Sequence, residues 1–183
     1  VEYPLNSPTF STTVAVNPGN ITVVQLPIAS RSGWVKNAVR NNAIHAFAAD
    51  EFICYLINLN RVSSDAGLAL PVDTMNTEYL VMDYNPRFKG SEFIVVAGFD
   101  NTTVTITPTK DIVGHSATIP FSVSLNRGEG YFAYGVSGST NDLSGSLVSA
   151  DKPVGVINGV NCTNIPVGSY ACDHIFEIAQ PVQ

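Results

Sequence analysis

The sequence predicts an all-β protein, β-sandwich-like, built from two internally duplicated halves at residues 1–75 and 76–183 that pack as one unit. Three observations carry this expectation. Apolar residues alternate with hydroxyl-bearing ones at period two, as in "TTVTITPT" (102–109), where Val104 and Ile106 alternate with Thr103, Thr105 and Thr107. Clusters of Gly, Pro, Asn and Asp interrupt the alternating runs. Whole segments also recur: "ADEFICYLINLN" (49–60) returns as "ADKPVGVINGVN" (150–161), and "STTVAVNP" (11–18) as "NTTVTITP" (101–108).

Taken in chain order, Glu2-Tyr3 answers to Glu92-Phe93 at the same offset of 90 that separates residue 11 from residue 101. "ITVVQLPIA" (21–29) resembles "IPFSVSLNR" (119–127) and is expected to form a strand. The passage "NAVRNNAIHAFAADEFI" (37–53) has an amphipathic-helix pattern through Val39, Ala43, Ile44 and Phe47. Its repeat partner "LSGSLVSADKPVGVI" (143–157) carries Gly145 and Pro153, poor residues for a helix interior, so both are read as strand pairs. "SEFIVVAGF" and "TTVTITPT" flank Asp100-Asn101, a pair that tolerates the left-handed backbone of a hairpin turn. "IPFSVSLN" alternates Phe121, Val123 and Leu125, and Gly128 and Gly130 lead into "YFAYGV". "PVGVINGV", short, apolar and broken by glycine, suits a buried strand.

Composition narrows the function. Only 13% of the 183 residues are charged, against about 25% in an average globular chain. Ser, Thr, Asn and Gly make up the polarity, as on an extracellular β-domain. The net charge of −6 with scattered Lys and Arg argues against nucleic acid and anionic membrane surfaces. No apolar run reaches the roughly 20 residues of a membrane span, so no membrane insertion is expected. "VEYPLN" at the start reads as a cut into a longer protein, an excised or mature fragment with neighbouring domains.

The chain has three cysteines, Cys54, Cys162 and Cys172. The loop "CTNIPVGSYAC" can close as a disulfide in an oxidising compartment; a zinc pair is the competing reading, with a spacing too wide for the usual knuckle. Cys54, in an apolar run, reads as a buried free thiol, with pairing to another chain as the alternative. Three glycosylation sequons begin at Asn20, Asn101 and Asn161, a number that composition alone produces by chance. Asn101, at the expected hairpin tip, is the first choice.

No Gly-x-Ser-x-Gly elbow is present, and His45, His115 and His174 lie in no catalytic pattern, so no catalytic residues are assigned. "CDHIFE" and "GSTNDLSGS" are weak metal motifs, short of the ligand number that zinc or calcium needs, and neither metal nor cofactor is expected. Aromatic residues offer binding chemistry. Tyr131, Phe132 and Tyr134 stand in "EGYFAYG", while Trp34, in "SRSGWVKN", follows Gly33 and has Arg31 and Lys36 beside it. Trp34, Arg31, Tyr131 and Tyr134 are the candidate binding residues.

"SSDAGLALPVDTMNTEYLVMDY" (63–84), "SEFIVVAGFDNTTVTITPT" (91–109), "SADKPVGVINGVNC" (149–162) and "IPVGSYACDH" (165–174) together resemble the IgGFc-binding protein N-terminal domain family over nearly the whole chain. The resemblance implies an extracellular, non-enzymatic binding or adhesion module, and it implies a disulfide between Cys162 and Cys172. Cys54 departs from that pattern. The resemblance names no ligand for this chain. The expected function is a secreted module that binds matrix, mucus, protein or glycan, with avidity from repeated weak contacts. The alternative is a spacer domain of a larger surface or mucus protein with no ligand of its own.

Overall fold

A computed structural model describes residues 1–182. The strands are β1 (Glu2–Tyr3), β2 (Phe10–Ser11), β3 (Val39–Asn41), β4 (Tyr55–Leu59), β5 (Ser64–Leu68), β6 (Asn76–Leu80), β7 (Ser91–Ala97), β8 (Thr102–Thr107), β9 (Phe121–Leu125), β10 (Glu129–Tyr134), β11 (Leu147–Thr163) and β12 (Asp173–Ile178). A five-residue helix, α1 (Ile28–Ser32), and a 3-10 turn at Val72–Thr74 complete the described elements.

β11 organises the molecule. Its first half pairs with β6 and β8 through Leu147–Ala150, and its second half pairs with β7 and β12 through Val154–Val160. Between them the register shifts at Asp151-Lys152-Pro153, where Pro153 has no N–H to give to a ladder. The bend is tied to the β7–β8 turn: Thr103 N–H donates to Asp151 Oδ1 at 2.7 Å, and Lys152 Nζ donates to the Asp100 carbonyl at 2.6 Å. One continuous strand thereby enters two sheet layers. β3-β10-β7-β11-β12 forms one layer, and β6-β11-β8-β9 forms the other. The eight-stranded antiparallel sheet folds over itself in this way, and the all-β, sandwich-like expectation holds.

Period-two patterning fills the interior. From the first layer come Phe93, Val95, Ala97, Tyr131, Ala133, Val154 and Val156; Tyr79, Val148, Val104, Ile106 and Leu125 come from the second. Tyr79, Val148, Ile106 and Phe121 stand opposite one another across four strands. At Gly90 the backbone passes Gly135 so closely that a Cβ would lie 2.4 Å from its carbonyl group.

The repeat-paired stretches contribute unequally to this sheet. Residues 1–75 supply only β3 to it, and otherwise form the β1–β2 pair and the β4–β5 hairpin. The helical pattern of 37–53 yields no helix; it forms β3 and an isolated bridge from His45 to Glu2. The expectation for "ITVVQLPIA" is corrected. Residues 12–27 form no strand, and Ile28 opens α1. Their alternation places Val16, Ile21 and Val23 in solvent, with no neighbouring strand to accept a ladder, and Pro18 and Pro27 carry no N–H. The arm is held together locally, with Thr22 Oγ1 donating to the Ala15 carbonyl at 2.9 Å.

Candidate functional site: a cationic aromatic groove

The face of the first layer turned away from the core carries two rows of residues in register. Tyr134, Glu92, Gly159 and Phe176 form one row across β10, β7, β11 and β12; Phe132, Ile94, Ile157 and Ile178 form the next. A third begins Gly130, Val96, Gly155. Each side chain reaches this face because its strand neighbours, Phe93, Val95, Tyr131 and Ala133, fill the core. Glycine flattens this face: Gly159 lies in the groove floor, and Gly130 lets the Trp34 ring settle onto the sheet. A Cβ at Gly130 would lie 2.7 Å from the Trp34 ring, and one at Gly159 would lie 3.1 Å from the Ile175 carbonyl.

The wall comes from α1 and the loop after it. Gly33 closes the helix, its N–H donating to the Ala29 carbonyl at 2.9 Å. Asn42, buried, anchors this corner: its Nδ2 donates to the Ser30 carbonyl at 3.0 Å, and its Oδ1 accepts from the Tyr3 hydroxyl. Trp34, half-buried, then lays its ring over Gly130, and Lys36 places Nζ 3.6 Å above the Tyr134 ring centroid. Lys89, in the turn before β7, and Arg31 complete the rim of a groove of about 440 Å³. Asn161 also lines it and is exposed.

Burial shapes the groove's electrostatics. Glu92 is pushed up to about 7 by desolvation, and Lys36 and Lys89 pull it partly back. Asp83, behind it, is pushed up to about 8, again mainly by burial; Asp142 and Glu92 add to the rise, and the polar groups of Ser91 and Gly159 oppose it. Tyr134 is raised to about 12 by burial and then by Glu92. His174 is lowered by burial, against the pull of Asp65 and Asp173.

The groove brings Arg31, Trp34 and Tyr134 together with Asn161. Tyr131 does not join them. It is 2% exposed, its ring packs on Phe121 at 5.7 Å, and its hydroxyl donates to Asn37. The reason is parity: Tyr131 and Tyr134 are three apart, so they leave opposite faces of β10, and the core took Tyr131. The expectation of a surface contact at Tyr131 is corrected accordingly. Glu92, Lys89 and Phe176 were not singled out from sequence, because only the pairing of β7, β11 and β12 makes them neighbours.

The other candidates lie elsewhere. Asn101 occupies the β7–β8 turn with φ of 54°, and Asn20 sits on the exposed 12–27 arm. Cys162 and Cys172 are joined in a disulfide, Cα atoms 5.2 Å apart, and Cys54 is free and half-buried. The three histidines have separate surroundings: His45 faces Glu2 at 3.6 Å, His115 stacks on Phe121, and His174 lies beside Phe176. Among the described residues no three His, Cys, Asp or Glu side chains converge as a metal cluster.

Comparison with known proteins gives two matches. A family model described as IgGFc binding protein matches residues 65–183. The human (Homo sapiens) protein named IgGFc-binding protein is 24% identical over 170 residues, which is 92% of this chain and 3% of that protein. The chain therefore spans a small fraction of this curated relative's length. No solved structure matches.

Proposed function

The chain belongs to the IgGFc-binding protein family, and from that premise we propose that it is an extracellular, non-enzymatic adhesion module that holds protein or glycan in the groove under Trp34. The observation that carries this reading is the convergence of Trp34, Tyr134, Arg31 and Lys36 on one concave face. Aromatic and guanidinium groups dominate binding where they cluster in a partly desolvated recess. An extracellular setting is supported by the Cys162–Cys172 disulfide and by what the family resemblance implies. Among the described residues no helix is long and apolar enough to cross a membrane. The human relative is named for binding IgG Fc, which makes Fc the first protein ligand to assay.

The test is retention of the isolated chain on arrays of matrix proteins, Fc fragments and glycans, beside a Trp34→Ala variant checked for folding by circular dichroism. Binding that Trp34→Ala abolishes supports the reading. Absence of binding on every array refutes it.

A second reading, a spacer that makes contact only with neighbouring domains, is favoured by one specific feature. β4 turns Tyr55, Ile57 and Leu59 outward at 63%, 62% and 71% exposure, a row of apolar residues on an edge strand. Such contiguous apolar surface is uncommon on a monomer and marks an interface.

A further inference from the structure

We propose that the groove is selective for anionic saccharides, sugars carrying carboxylate or sulfate, an inference that rests on the binding-module reading and names its ligand class. Three of the chain's nine basic residues, Arg31, Lys36 and Lys89, line this one recess. Among the described residues none of them lies within 4.0 Å of a carboxylate; the ion pair formed is His45 with Glu2, remote from the groove. Glu92 is the single acidic residue in the lining. A recess with three cations and one carboxyl, in a chain of net charge −6, is a local inversion of the protein's own field. Concave, low-dielectric walls focus such a field on incoming anions.

The remaining chemistry favours a sugar over an acidic peptide. An extended peptide that binds a sheet gains main-chain hydrogen bonds by adding a strand to a free edge. Here the recess lies on the face of β10, β7 and β11, whose backbone groups are committed to their own ladders, and at the outer edge of β12 the Phe176 N–H is taken by the Asp65 carboxylate. What the face offers instead is rings over a smooth floor. Half-buried Trp34, Phe132 and Phe176 provide aromatic surface against which the C–H face of a pyranose can lie, beside the flat position Gly159. Exposed Asn161 at the rim supplies amide hydrogen-bonding groups for hydroxyls. The charged and the stacking groups line the same recess, with Lys36 seated on the Tyr134 ring.

The experiment titrates the whole chain with a sulfated heparin-derived oligosaccharide, sialyllactose, lactose and polyglutamate, at low and high salt. Lys36 and Lys89 are both exposed, so Lys36→Met/Lys89→Met is expected to fold, as read by circular dichroism; Lys36→Glu/Lys89→Glu is the stronger pair and lowers the melting temperature, because it removes the Lys36 contact with Tyr134 and sets two carboxylates beside Glu92. The expected result is binding of the sulfated or the sialylated sugar, the two arms telling sulfate from carboxylate. Affinity should fall about tenfold in high salt and about tenfold or more in either lysine pair. Lactose binding as tightly as sialyllactose and the sulfated sugar, or ligand binding that both lysine pairs leave intact, would overturn the anionic assignment while leaving a binding module standing. Polyglutamate binding as tightly through the same lysines would overturn the saccharide assignment. Failure of every ligand here, with successful capture of a protein on the arrays above, defeats this inference alone; failure in both assays defeats the binding-module reading as well.

Discussion

The Tyr79 hydroxyl donates a 2.7 Å hydrogen bond to the Val154 carbonyl, and accepts one at 3.0 Å from the Asn76 N–H. Tyr79 is 1% exposed, so one phenol ties β6 to the bend where β11 crosses between layers. Tyr79→Phe keeps the ring and leaves both backbone groups without that partner. The expected cost is about 1–3 kcal/mol, read as a lower urea midpoint.

Gly90 and Gly155 separate two kinds of crowding. A Cβ at Gly90 meets Gly135 backbone at 2.4 Å, which cannot move without shifting β10. A Cβ at Gly155 meets the end of the Met75 side chain at 3.1 Å, which can rotate away. Gly90→Ala should cost about 3 kcal/mol or prevent folding, and Gly155→Ala about 1 kcal/mol or less. Equal melting temperatures for the two variants would contradict the backbone-approach argument.

Asp83 and Glu92 make stability depend on pH. Their folded values are about 8 and about 7, both raised by burial, whereas unfolded carboxyls titrate near 4. Below about pH 4 both states hold these protons. Between about 4 and 8 the unfolded chain releases them first and is favoured, so stability falls with rising pH. Unfolding free energies from urea titrations at pH 5 and pH 8 should differ by on the order of 6 kcal/mol, and Asp83→Asn should shrink the difference by about half. A variant with the wild-type slope would show that Asp83 titrates elsewhere.

The cystine closes a ten-residue separation from Cys162 to Cys172. Replacing both with Ala should cost about 3 kcal/mol. Thiol titration of the denatured chain should find one thiol before reduction and three after. In the native chain the Cys54 thiol, its pKa raised by burial, should react with a disulfide reagent more slowly than free cysteine.

Asn101 holds φ of 54° at an exposed turn, a conformation Asn accepts more readily than most residues. Expressed through a secretory host, the chain should carry a glycan there, and Asn101→Gln should lower the mass by one glycan unit. An unchanged mass refutes occupancy at that turn.

The class of fold was readable because period two is a local property. Val104 and Ile106 face inward in β8 just as their alternation with Thr requires, and Asp100-Asn101 turns the chain between β7 and β8. The same rule misled at 21–27, where alternation without a partner strand formed none. It was silent on Tyr131 against Tyr134, because spacing says that the two leave opposite faces but not which face the core will claim.

Sequence by itself determined the antiparallel β character, the cysteine loop, the low charge and the family, all carried by residues near one another along the chain. Tertiary structure alone decided the groove. Arg31, Lys89 and Phe176 lie far apart in sequence and meet because β10, β7, β11 and β12 pair side by side. Strand order is set by long-range hydrogen bonding and by burial of one complete face, and neither is encoded in any short stretch. The physical reason is that a sheet joins its members sideways, at right angles to the direction in which a sequence is written.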